Sequence, residues 1–139
     1  MSNVSRHMPA LVYPFLPKST RLLKRGQFWA IPLEMGRFGA GCVVGQRTSA
    51  GKPSSRMFIA GVVRWVGTHA PSSSELEGLP LVQFAFAHLK VIGESGGAVL
   101  GEAQLHLANA PVTSEATSLP TWGFGVPRLL AERVAQSGG

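Results

Sequence analysis

The sequence predicts a mostly β protein: a small, strongly bent antiparallel sheet or partly open barrel of five to six strands, with one short C-terminal helix. Three observations lead there. Charged residues make up only 14% of the 139 residues, beside 17 Gly and 10 Pro. That balance favours many turns and short strands over long helices with charged faces. Short apolar, β-branched and aromatic runs recur between clusters of Gly, Pro and Ser. Strict two-residue alternation occurs at 101–107, whereas four-residue helical spacing is reserved for the C-terminus.

Residues 1–20 are Pro-rich and aperiodic. They read as an extended N-terminal arm lying over the domain through Tyr13, Phe15 and Leu16, with 21–139 as a single β-rich domain. Lys18 to Arg25 is a basic lead-in. The first strand is Gln27 to Leu33, with Pro32 near an edge or a strand end because it lacks a backbone donor. A Gly-rich turn over 35–39 returns the chain into a second strand, Gly41 to Gly45, making a hairpin. Residues 46–55 form a polar loop. Met57 to Val66 is the third strand, apolar on both faces except at Arg64. Residues 67–80 form a loop in which Ser72 and Glu75 have capping-box spacing, enough for one helical turn.

Leu81 to Ile92 reads as a fourth strand, since Val82, Phe84, Phe86 and Val91 favour extended backbone. Gly96 and Gly97 turn the chain. At 101–107, Ala103, Leu105 and Leu107 face one side while Glu102, Gln104 and His106 face the other. The stretch from Pro111 to Pro127 is irregular. The closing helix has Pro127 in its first turn, Leu130 and Val134 on one face, and Gly138 past its end.

A chain of this length fits one domain and buries roughly two-thirds of its unfolded surface, enough for a core without metal or disulfides. Cys42 is the single cysteine, so no internal disulfide forms, and its apolar neighbours make it a small buried hydrophobe. The apolar run Met8 to Leu16 is broken by Pro9 and Pro14 and has no small-x-small cleavage site after it, so no signal peptide is expected. No stretch approaches the roughly 18 apolar residues of a bilayer span. The expected compartment is the cytoplasm.

Charge is uneven. Residues 1–64 hold ten Lys or Arg against Glu34, a net of +9, and residues 65–139 hold three bases against six Glu, a net of −3. The basic half favours an acidic protein surface or a nucleic acid as partner.

Reactive constellations are poorly supported. There is no Asp, and Glu75 and Glu77 share a loop where solvated acids are the ordinary outcome. His7, His69, His88 and His106 lack zinc-ligand spacing. A Ser-His-Asp triad lacks its Asp, and no Gly-x-Ser-x-Gly elbow occurs. Gly39 to Val44 has Val44 where a dinucleotide fingerprint needs its third Gly. Gly45 to Lys52 has one residue too many for a phosphate loop, and Pro53 stands where that loop needs a hydroxyl. No cofactor, metal or catalytic residue is expected, so the chain reads as a binding protein rather than an enzyme. Arg25, Phe28, Trp29, Arg37, Phe38, Arg56, Phe58, Arg64 and Trp65 interleave bases with aromatics, as a small β barrel that stacks single strands would. Core packing of the same aromatics is the competing reading.

The stretch from Leu23 to Val43 resembles the opening of the immunity protein 26 family. It has a basic lead, a Gly, an Ala30-Ile31-Pro32-Leu33 strand, a Gly36-Arg37-Phe38-Gly39-Ala40-Gly41 turn and a second strand. A weaker match runs through Val99 to Leu107 and Leu119 to Trp122, so the resemblance spans roughly residues 23–125. The family often has an Asp where Gln27 stands, and its members are commonly more acidic. The resemblance implies a bacterial protein encoded beside a polymorphic or contact-dependent toxin, which it binds and blocks. Tight inhibition needs only about 800 Å² per partner, anchored by exposed Arg and aromatic residues. The candidate partner-binding residues are Arg37 and Phe38 at the hairpin tip, then Arg64, Trp65 and Trp122.

Overall fold

A strand covered on both sides must be apolar at successive positions, and Phe58 to Val63 is. The computed structural model describes residues 11–137 and places that run on an inner strand of a six-stranded sheet. The strands are β1 (Gln27–Pro32), β2 (Phe38–Ser49), β3 (Lys52–Gly67), β4 (Leu81–His88), β5 (Val99–Glu102) and β6 (Thr113–Glu115). The helices are α1 (Ser73–Leu76), α2 (Lys90–Glu94) and α3 (Val126–Gln136). The order is β4-β3-β2-β1-β5, antiparallel throughout, with β6 added to β2 as a short parallel strand. The sheet is open, not a closed barrel. Register shifts within the β1–β5, β2–β3 and β3–β4 ladders bend it, because each bulge adds local twist.

Alternation along β3 sends Phe58, Ala60 and Val62 to one face and Ile59 and Val63 to the other. The first face packs Trp29, Ile31 and Val43 under Leu130, Ala131 and Ala135 of α3. The second packs Phe28, Cys42, Val44 and Phe86 under Leu76 of α1, with Leu79, Leu100 and Leu105 at its margin. Fully burying each of these large side chains contributes about 1.5–3 kcal/mol. Gly41 is needed where it stands, since a Cβ there would overlap the Trp29 indole.

Several stretches differ from the sequence expectation. Residues 46–55 are not a loop: β2 runs on to Ser49 and β3 begins at Lys52, joined by Ala50 and Gly51 at φ 53° and 79°. Polar side chains mark this stretch because the hairpin projects beyond the core, so its polarity does not signal irregular backbone. The fourth strand stops at His88. Residues 90–94 form α2, which buries Val91 and Ile92 against the helix-side core. Packing there overrides the β propensity of those residues.

The alternation at 101–107 is real in burial but not in pairing. Ala103, Leu105 and Leu107 are half-buried, while Glu102, Gln104 and His106 are exposed. Only Val99–Glu102 joins the ladder. Beyond it the backbone bonds to neighbouring loops, with the Ala103 amide on Gly26 O and the His106 amide on Leu79 O, both at 2.9 Å. α1 has its full capping box, with the Ser72 amide donating to Glu75 Oε1 at 3.1 Å.

Both sheet edges are partly covered. Phe15 exchanges two backbone hydrogen bonds with Val99 on β5, at 3.1 and 2.8 Å. On β4, the Phe86 amide donates to Pro120 O at 2.9 Å and the Trp122 amide to Phe86 O at 2.8 Å. In the arm, Tyr13 and Phe15 pack on the core as expected, whereas Leu16 stays exposed. The rest of the arm, residues 1–10 with His7, lies outside the described residues, as does Gly138.

Candidate functional site

The β1–β2 connection is only residues 33–37: Leu33 buries in the helix-side core and the tip beyond it projects. A 3₁₀ turn at Glu34–Gly36 makes that tip. Met35 sits there at φ 61°, in left-handed backbone that non-glycine residues rarely adopt, and is 90% exposed. The turn is held from two sides. The Leu33 amide donates to Arg37 O at 2.8 Å, and the Glu34 amide donates to Glu132 Oε2 on α3 at 3.0 Å. Arg128 steadies that carboxylate from one turn away, at 3.9 Å.

Arg37 and Phe38 follow the tip and are both half-buried. Arg37 Nε is shielded from solvent and, among the described residues, has no hydrogen-bond partner. Phe38 lies opposite Gly67 at the end of β3. The Trp65 indole covers that same glycine. Arg64 is exposed and Trp65 half-exposed beside it. The chain thus brings Arg37, Phe38, Arg64 and Trp65 to one end of the sheet. A cleft of about 360 Å³ opens between Arg64, Trp65, Glu75, Leu79 and Val134. Trp122 stands apart on the outer edge of β4 beside Phe86, which pairs with Ile59. At roughly 3.3 Å per strand residue, Ile59 lies about 16 Å along β3 from Arg64. Trp122 packs on the helix-side core.

Met35 was not singled out from sequence. Its signal was available: a lone apolar residue in a Gly-bearing turn has nowhere to bury. Arg25 was grouped with the interface bases, but its guanidinium donates to Val44 O and Leu107 O at 2.8 Å and to Ala110 O at 3.1 Å. It fastens the 107–110 loop to β2. Phe28, Trp29 and Phe58 are buried, Trp29 completely. The stacking platform therefore loses three of its aromatics to the core.

The ionisable groups are dispersed. His69 Nε2 lies 3.3 Å from Glu75 Oε2 at the surface, with the other oxygen of Glu75 committed to the α1 cap. His88 is half-buried, and its Nδ1 accepts from the Lys90 amide at 3.0 Å. Desolvation first, then the charges of Lys90 and Arg56, hold it below the ordinary histidine pKa. Burial pushes the Cys42 thiol up to about 12, so the nucleophilic thiolate is suppressed. Among the described residues, no group of three His, Cys, Asp or Glu is placed to hold a metal ion. Among the same residues, no helix is long and apolar enough to cross a membrane.

Compared with family models, curated proteins and solved structures, the chain matches none.

Proposed function

We propose that this chain is an immunity protein that binds a bacterial toxin domain in the cytoplasm and neutralises it by steric blocking, without catalysis of its own. The observation behind this reading is the gathering of Met35, Arg37, Phe38, Arg64 and Trp65 on one held end of the sheet. An exposed thioether, a guanidinium and an indole beside a cleft supply the kinds of anchor that dominate protein interfaces. Holding the tip by Glu132 lowers the ordering cost of docking. The resemblance of residues 23–43 supports a toxin as the occupant, and that stretch builds this very tip.

The test is co-expression in a sensitive bacterium with the toxin-like domain encoded beside the gene. The wild-type chain restores growth, and R64E/W65A, folded by circular dichroism, does not. Growth arrest that persists in the presence of folded wild-type chain would sink the proposal.

A further inference from the structure

A second surface, far along β2 and β3 from the Met35 tip, combines exposed apolar groups with cations that, among the described residues, have no carboxylate partner. We infer that it docks an acidic protein segment, one in which carboxylates surround an apolar side chain. The inference is independent of the toxin reading.

The surface is assembled by backbone contacts. Thr20 Oγ1 donates to Ser54 O, laying the 18–24 segment on β3. The Ser54 hydroxyl accepts from the amides of Arg56 and Met57 at 3.2 and 3.0 Å, which folds this stretch of β3 into a bulge. The Leu89 amide donates to Arg56 O at 2.8 Å and brings the start of α2 alongside. Lys18, Arg21, Arg56 and Lys90 are thus gathered from three segments, and all are exposed. Among the described residues, none of the four lies within ion-pair distance of a carboxylate. Lys24, by contrast, is 3.6 Å from Glu102. Collecting unpaired like charges costs free energy through their mutual repulsion, which an anionic partner would relieve.

Charge alone would suit a phosphate backbone equally well. The apolar part of the surface decides for protein. A cleft of about 340 Å³ lies between the 18–24 segment, β2 and β3, with Leu23, Val43, Met57 and Phe58 among its lining and Lys24 on its rim. Val112 borders it and is 61% exposed, and Leu22 on the covering segment is 50% exposed. Val112 is held in place, its carbonyl accepting from the Gln46 amide at 2.8 Å. An apolar cleft lined by Thr20, Ser54 and Met57, next in the chain to the exposed Arg21 and Arg56, receives an apolar side chain flanked by acids. The buried Phe28, Trp29 and Phe58 leave few rings here to stack nucleic-acid bases.

The test titrates the full-length chain with three fluorescent probes: the peptide Glu-Glu-Leu-Phe-Glu-Glu, a hexaglutamate and a 20-nucleotide single-stranded DNA. The first peptide is expected to bind at least about tenfold more tightly than hexaglutamate and to weaken with salt. R21E/R56E/K90E is expected to lose at least about tenfold in that affinity, and L22S/V112S to lose it for the first peptide only. R21Q/R56Q/K90Q replaces the reversal variant if the latter does not fold. R133E, which reverses an exposed charge on α3, should bind as the wild type does. The inference is overturned if the first peptide does not bind, if hexaglutamate or DNA binds as tightly, or if the α3 variant loses as much as the patch variant.

Discussion

Gln27 is completely buried, yet all of its polar atoms are used. Its Oε1 accepts from the Lys24 amide at 2.8 Å, and its Nε2 donates to Leu22 O at 3.0 Å and to the Tyr13 hydroxyl at 3.4 Å. A neutral amide both donates and accepts, so it can tie the basic lead-in to β1 where a carboxylate could only accept. Gln27→Ala strands the Leu22 carbonyl and the Lys24 amide, and should cost about 1–3 kcal/mol by urea denaturation. An unchanged midpoint and slope would show that the amide is dispensable. Cys42 makes a cleaner prediction. With its thiol pushed up to about 12 by burial, it stays protonated at ordinary pH and out of reach. An aromatic disulfide reagent at pH 8 should label it only after unfolding. Rapid labelling of the native chain would contradict its place in the core.

The β2–β3 hairpin shows how local chemistry can conceal an element. Its two-residue turn needs positive φ at both central positions, for which Asn-Gly is the usual signal. Here Ala50 takes the first position at φ 53°, so the strongest sequence marker is missing. Left-handed backbone costs a residue with a Cβ roughly 1–2 kcal/mol. Ala50→Gly should therefore raise stability by about 1 kcal/mol, read as a shifted denaturation midpoint. A loss of stability would mean that the turn differs from the one described. By contrast, the Ser72–Glu75 cap, the Leu130–Val134 face of α3 and the Gln27–Pro32 strand were all legible. Each depends on neighbours only a few residues away. α2 and the end of the β5 ladder were not, because Val91, Ile92 and residues 103–107 answer to packing partners distant in sequence.

The same division holds for the candidate site. Arg37, Phe38, Arg64 and Trp65 could be chosen by chemistry, but their convergence required the pairing of Phe38 with Gly67. Trp122 has the same chemistry but stands apart from them on the β4 edge, half-buried against the helix-side core. Arg25 is likewise spent, on three carbonyl groups. Whether an arginine or an aromatic residue stays free for a partner depends on long-range topology, which composition does not encode.

Across the molecule, a sheet covered on one face by α3 and on the other by α1 and the loops leaves few places for strong contact. The end carrying Met35 and Trp65 is the one this account assigns to a toxin domain. Isothermal titration calorimetry of the purified chain against the toxin domain encoded beside it tests that assignment most directly. The expected Kd lies in the nanomolar range or tighter, weakened at least about thirtyfold in M35A/W65A, the loss typical of interface anchors. No binding at micromolar concentrations, or a folded variant that binds like the wild type, would contradict it.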